Sequence, residues 1–378
     1  MAARASTLGG METISFARGV PAPECLPVEE LADCARAALE RDGATLLNYG
    51  PIGGYAPLRA WIAERHGVDP SRVFVTNGSL QAFVLLATHL LPAGARVLVE
   101  APTYDRPLKI LAGLSAAIDP VPLADDGLDL DALEEAIETG PGPAFFYTIP
   151  TFQNPSGRTL AVAKRHRLVE LASERGLAIL EDDPYGLVRF EGEFPPTLFE
   201  LAGDGGGVIY MSSFSKIVAP GARVAYAILP PELVAPIEAQ ATQTYLAPSF
   251  LAQGAVYEFL RRGNLEPALE RVRTLLGERR DAMLDALEAN FPEEARWSHP
   301  EGGYFLWLDF PAGTGAGELL ERATAAGVTF VKGADFFPPE AGGADSARLA
   351  YSFAAPAEIT NGIGRLGSLL REHAPLPV

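Results

Sequence analysis

The middle of the chain alternates short apolar runs with longer amphipathic ones, and few folds accept that rhythm. Residues 72–76 (RVFVT), 96–100 (RVLVE), 144–148 (AFFYT), 177–181 (LAILE) and 208–212 (VIYMS) are β-branched and aromatic enough for buried strands. Between them, residues 80–91, 106–113, 130–139 and 161–175 read as helices. Such alternation builds βαβ units, so an α/β fold with a mainly parallel sheet and helices on both faces is expected. After about Pro230 the pattern changes. Residues 251–262 and 266–290 read as consecutive helices, the second laced with opposite charges at i,i+4 spacing. Residues 303–309, 328–331 and 348–353 read as strands of a smaller α+β lobe, closed by a helix over 357–371. The expected division is an N-terminal segment 1–48 that joins the small lobe, a large domain 49–285 and a small domain 286–378. No linker, repeat or low-complexity tract separates the lobes in sequence, so they are expected to pack closely.

Composition narrows the functions. At 378 residues the chain has room for a large core, and 48% hydrophobic with 21% charged residues excludes collagen-like, disordered and coiled-coil classes. Thirty Lys+Arg against 48 Asp+Glu leave −18, which counts against a nucleic-acid groove or an anionic membrane surface. Cys25 and Cys34 are too few for a disulfide framework and have no zinc spacing, so no metal is expected. Residues 1–10 lack the pattern of a signal peptide, and no apolar run nears ~18 residues. The expectation is a soluble, cytoplasmic protein.

Ligands of α/β sheets bind at the carboxyl ends of strands, so the residues after each predicted strand belong together. Asn77-Gly78-Ser79-Leu80-Gln81 is a glycine turn before a helix, suited to an anion or to a plain helix cap. Thr103-Tyr104 follows a strand-stopping proline and offers a ring to a flat ligand. Residues 147–157 hold two prolines and a glycine, a rigid turn that would fix the amide of Asn154. Glu181-Asp182-Asp183 places three carboxylates at the end of an apolar strand, which is costly unless they meet a cation. Ser212-Ser213-Phe214-Ser215-Lys216, with Arg223 shortly after, makes a small cationic pocket suited to a phosphate and leaves one amine for covalent work. Ser213 to Lys216 also matches the S-x-x-K of serine acyl enzymes, but the accompanying S-D-N and K-T-G elements do not occur. An aldehyde-reactive lysine, a phosphate pocket, an acid, two donors for a phenolic oxygen and a stacking ring together suit pyridoxal 5′-phosphate (PLP).

Gln153-Asn-Pro-Ser-Gly157, Asp182-x-x-Tyr185 and Ser213-x-Ser-Lys216-x6-Arg223 stand in an order and spacing that is highly specific. On these motifs the chain resembles the fold-type I, class I/II PLP-dependent aminotransferases, in the branch that holds the 2-aminoadipate and kynurenine aminotransferases and the MocR catalytic domains. The resemblance runs from Ile14 to the 348–352 segment and implies an aspartate aminotransferase-like fold: a seven-stranded, mainly parallel sheet plus a smaller α+β domain. It implies Lys216 as the Schiff-base lysine that also moves a proton as general base and acid. Asp182 would pair with the pyridine nitrogen and keep it protonated. Asn154 and Tyr185 would bond the phenolic oxygen, and Tyr104 would stack on the ring. Ser79, the Leu80 N–H, Ser213, Ser215 and Arg223 would hold the phosphate. Tyr49 matches a tyrosine that reaches the phosphate of the facing subunit, which implies a homodimer with shared sites. Arg348 would grip the substrate α-carboxylate, with Gly19 and Asn154 lining that pocket.

The chain departs from the pattern in a few places. Leu80 stands where glutamine is frequent, Ala225 where glycine is, and Arg18 where a small residue is usual. The matched region starts at Ile14, where relatives carry a further N-terminal helix over the substrate side chain. The implied reaction is ping-pong transamination between an amino acid and a 2-oxo acid. A PLP lyase, decarboxylase or cyclase on the same scaffold is the alternative. A MocR-like sensing domain is less favoured, because a winged-helix module has no room before Ile14. Arg18 at the entrance would favour an acidic side chain, as in 2-aminoadipate or glutamate. An acidic surface and an uncovered pocket would equally suit a bulky or cationic, non-proteinogenic amino acid from a biosynthetic pathway.

Overall fold

The computed structural model describes residues 13–203 and 205–373, so the 1–10 stretch read for a leader lies outside the described residues. A two-residue strand β1 (Ile14–Ser15) and helices α1 (Val28–Leu46) and α2 (Ala56–His66) lead into the large sheet. Its strands are β2 (Val73–Thr76), β3 (Arg96–Ala101), β4 (Ala117–Ala124), β5 (Gly127–Leu128), β6 (Phe146–Thr148), β7 (Ile179–Asp182), β8 (Val208–Ser213) and β9 (Ala225–Ile228). Their spatial order is β2-β9-β8-β7-β6-β3-β4-β5. Helices α3 (Ser79–Leu90), α4 (Asp105–Gly113), α5 (Leu130–Glu138), α6 (Val162–Arg175) and α7 (Leu198–Ala202) make the crossovers. The chain then runs through α8 (Pro231–Thr244), α9 (Phe250–Arg261) and α10 (Leu265–Asn290).

Strands β4, β3, β6, β7 and β8 are mutually parallel, so β3, β6, β7 and β8 end on one rim of the sheet. Only β9, antiparallel to both β2 and β8, and β5 run against them. Eight strands form the sheet where seven were implied, because the two-residue β5 folds back on the end of β4. Neither β4 nor β9 is legible as a strand in the sequence. Pro120 and Pro122 interrupt β4, and prolines, which donate no N–H, survive there because β5 covers only its last two residues on the outer side.

The smaller lobe carries β10 (Arg296–Trp297), β11 (Phe305–Asp309), α11 (Ala316–Ala325), β12 (Val328–Thr329), β13 (Val331–Lys332), β14 (Ser346–Ala350) and α12 (Pro356–His373). The single strand expected over 328–331 is two: β12 pairs with β1, whereas β13 joins the antiparallel sheet β10-β11-β14-β13. The pairing Ile14↔Val328 ties the start of the chain to this lobe. The rest of the N-terminal segment behaves differently, since α1 packs on α9 through the Arg41–Glu258 pair and through Leu46 against Gly254. The domain limit expected at 285 falls inside the continuous helix α10.

The end of β7 is braced by a buried cation. Arg165 on α6 is fully buried and bonds the carbonyls of Leu160 (2.9 Å), Pro196 (3.0 Å) and Pro150 (2.7 Å) and the hydroxyl of Thr151 (2.8 Å). Its charge also lowers the pKa of the buried Glu181 and Asp183 without a direct bridge. Arg165→Met would take a donor from four acceptors, of which, among the described residues, only the Pro150 carbonyl keeps a backbone partner in the Leu160 N–H, and would leave two carboxylates without their cation. The expected loss is about 3–5 kcal/mol of unfolding free energy in denaturant melts. A loss under about 1 kcal/mol would show that the brace is dispensable.

Candidate active site

Side chains from the shared rim converge on one cavity of about 380 Å³. Gly19, Ser79, Leu80, Tyr104, Asn154, Asp182, Tyr185, Ser213, Ser215, Lys216, Arg223 and Arg348 all line it. Two of the residues expected at the site do not. Tyr49 is 84% exposed on the surface, and Arg18 is exposed with its guanidinium 4.4 Å from the centre of the Phe353 ring.

Each wall follows from its local sequence. Gly78 precedes α3 at φ +98°, and a Cβ there would overlap the guanidinium of Arg223, which donates to the Asn77 carbonyl at 3.1 Å. Gly78 caps α3, so Ser79 is its first helical residue and makes no cap bond of its own. The hydroxyls of Ser213 and Ser215 meet at 2.9 Å, and the Ser215 N–H donates to Ser213 Oγ at 3.1 Å. Hydroxyls, the first N–H groups of α3 and an arginine thus gather around one small-residue corner, which is anion chemistry.

The three carboxylates of β7 go three ways. Glu181 accepts from the N–H groups of Leu198 and Phe199 at 2.9 and 2.8 Å. Asp183 accepts from the Tyr210 hydroxyl at 2.9 Å and the Gly186 N–H at 2.8 Å. Asp182 faces the cavity: its Oδ2 accepts from the Tyr147 hydroxyl at 2.8 Å, and its buried Oδ1 has no partner among the described residues. Burial, and after it the neighbouring Asp183, pushes Asp182 up to about 7 against the lowering effect of Tyr147. A buried carboxylate with one oxygen open is made for a cationic N–H.

Lys216 is enclosed between aromatic rings, its Nζ 5.1 Å from the centre of Tyr304 and donating to the Gly19 carbonyl at 2.6 Å. Burial, then the charges of Arg348 and Arg223, hold its amine down to about 8, within reach of the free base. Arg348 is buried on Phe305 (4.2 Å) and Phe336 (5.0 Å), donates to Asn154 Oδ1 and the Ala17 carbonyl at 3.0 Å each, and keeps an Nε without a partner among the described residues. Burial lowers it to about 10, still a cation at neutral pH. A Cβ on Gly19 would strike the Phe305 ring, so only glycine lets the backbone lie this close.

Some functional residues escaped the sequence reading. Tyr147 and Tyr304 look like ordinary strand aromatics, and only the fold shows Tyr147 bonding Asp182 and Tyr304 donating to the Lys216 carbonyl at 2.9 Å. Gln153 turns inward instead, donating to Glu100 (3.1 Å) and the Pro102 carbonyl (2.7 Å) and accepting from the Ser156 N–H (2.8 Å). It sets the turn that presents Asn154. A larger cleft of about 690 Å³ backs onto the cavity across Pro184 and Ser213. Its polar groups are spent on one another: His66 meets Tyr226 at 2.9 Å, and burial holds that imidazole at about 4.

Comparison with known proteins places this geometry. The family model for aminotransferase class I and II matches residues 22–336. The chain belongs to that family. It is 42% identical to a 2-aminoadipate transaminase from Thermus thermophilus over 95% of this chain and 90% of that protein. The structure of LysN, the α-aminoadipate aminotransferase of Thermus thermophilus, complexed with N-(5′-phosphopyridoxyl)-L-leucine, superposes with a TM-score of 0.91 at 41% identity over 96% of this chain and 92% of that one. A Pyrococcus horikoshii kynurenine aminotransferase gives 0.92 at 34% identity over 97% and 92%. The chain is a PLP-dependent aminotransferase of fold type I, and the open Asp182 Oδ1, the Gly78–Arg223 corner and the lysine held down to about 8 fit that cofactor.

Covalent loading needs the free amine, so the loading rate is expected to rise with pH through about 8 and level off above it. Tyr147→Phe should keep that profile while weakening cofactor retention about tenfold, read by absorbance after dialysis, because Asp182 loses its orienting donor. Unchanged retention would remove Tyr147 from the site.

Proposed function

We propose that Lys216, Asp182 and Arg348 carry transamination between an L-amino acid and a 2-oxo acid within this one cavity. The observation that bears most weight is their convergence: an amine lowered to about 8, a buried carboxylate with one free oxygen and a buried arginine with a free N–H face the same 380 Å³. Bound there, PLP supplies an electron sink for the bonds at the substrate Cα. Asp182 Oδ1 would hold the pyridine N–H, and Asn154 and Tyr185 the phenolic oxygen. Tyr104 would face the ring, while Ser79, the Leu80 N–H, Ser213, Ser215 and Arg223 would hold the phosphate. Arg348 takes the α-carboxylate beside Gly19 and Asn154. The Lys216 amine would then take the proton from Cα as general base and deliver it, as general acid, to the carbon that carried the cofactor's aldehyde. Because both substrates use the same cavity, the first product leaves before the second substrate enters, which is ping-pong order. The likeness to a 2-aminoadipate transaminase supports a dicarboxylic substrate of that kind or of the glutamate kind.

A homodimer with shared sites completes the reading. Gly50 is pressed against the Phe250 ring, which sets Leu47 (72% exposed) and Tyr49 (84%) beside a segment carrying Leu246 (58%) and Leu251 (40%). That much apolar surface supports a second copy seated here, with Tyr49 reaching the partner's phosphate corner. Buried free thiols at Cys25 and Cys34 support a reducing, cytoplasmic setting.

The test is a half-reaction screen of amino acids, following the cofactor's visible band. Arg348→Ala should raise the apparent KM at least ~100-fold for every converted amino acid while the band persists. Equal KM values would place the carboxylate clamp elsewhere. Tyr49→Phe should weaken cofactor retention in a protein of dimeric mass, and an unaffected monomer would refute the shared site.

A further inference from the structure

Among the described residues four cationic side chains line the cavity, and the reading above employs three of them: Lys216, Arg223 and Arg348. The fourth is Arg106, the second residue of α4, two positions beyond Tyr104. Building on the transamination reading, we propose that Arg106 is the specificity residue that reads a second, distal carboxylate, which makes dicarboxylic amino acids and their 2-oxo acids the preferred substrates.

The charges at the cavity mouth carry this. Asp105 is the acid beside Arg106, and it is already held by Lys109 Nζ at 2.6 Å. Arg106 lies 3.5 Å from the same carboxylate oxygen, too long for a good charge-assisted bond, and its side chain is 56% exposed. The lysine therefore neutralises Asp105 and leaves the guanidinium fork of Arg106 with donors to offer. Arg18, the residue the sequence offered for this task, is stacked on Phe353, and it is absent from the cavity wall that its neighbours Gly19 and Val20 line. With Arg223 given to the phosphate corner, Arg348 buried at one position and Arg106 at the rim leave two guanidinium groups for two carboxylates. A planar fork binds carboxylate bidentately, so the geometry rewards a diacid over an equally long apolar chain.

The experiment compares 2-aminoadipate with 2-aminohexanoate, which lacks only the distal carboxylate, in the cofactor-loaded wild type, Arg106→Gln and Arg106→Lys. The ratio between the two kcat/KM values should fall about 10–100-fold in Arg106→Gln, chiefly because the diacid's KM rises, and recover in part in Arg106→Lys. Calorimetry gives a reading independent of turnover: adipate should bind the wild type more tightly than hexanoate, and Arg106→Gln should abolish the difference. An unchanged ratio, or a fall shared equally by both amino acids, overturns the proposal. A loaded wild type that converts neither amino acid, nor any other in the screen, overturns the transamination reading itself and this proposal with it.

Discussion

Three consecutive carboxylates sit buried at the end of β7, and the surrounding structure is arranged to satisfy them. Strand alternation sends Glu181 and Asp183 to one side of the chain and Asp182 to the other. Glu181 ends on the N–H groups that open α7, Asp183 on Tyr210 and Gly186, and Arg165 lends its charge to both. Asp182 is treated differently: Tyr147 satisfies one oxygen and nothing among the described residues satisfies the other. Fold stability and cofactor chemistry thus meet on one strand. The flanking pair is closed off by protein, and the middle carboxylate is left to be completed by a ligand.

The same economy shapes the rest of the cavity. Glycines at 19 and 78 stand where a side chain would displace Phe305 or Arg223, so backbone approaches the ligand space from two directions. Arg348 is desolvated against Phe305 and Phe336, which strengthens any carboxylate bond it makes and discourages water from competing. Lys216 owes its lowered pKa to burial first and to neighbouring cations second, so the cluster that attracts anions also prepares the nucleophile.

Much of this is legible in the sequence, because motifs at strand ends encode their own local geometry. The Asn154 turn, Asp182-x-x-Tyr185 and the Lys216 loop each place their residues within a few positions of a strand terminus, and a parallel sheet gathers those termini on one rim. Less was legible where the outcome depends on distant partners. The β4 strand hid behind two prolines that only its near-edge position permits. Tyr147 and Tyr304 gave no sign of their roles, since an aromatic residue in a strand is usually core. The sequence assigned Gln153 no role of its own, and only the fold shows Glu100 from another strand drawing it inward.

The sequence by itself determined the α/β class, the cofactor chemistry and most of the residues placed around the cavity, because those follow from hydrophobic period and short-range motifs. The tertiary structure alone decided which arginine lines the cavity. Arg18 and Arg106 are equivalent in sequence terms, each a cation next to a pocket-lining residue. Phe353, 335 positions along from Arg18, captures its guanidinium, while Lys109, one helical turn beyond Asp105, frees Arg106 by taking that carboxylate. Side-chain direction is set by whichever partner the fold brings within a few ångströms, and that information is not local to the chain.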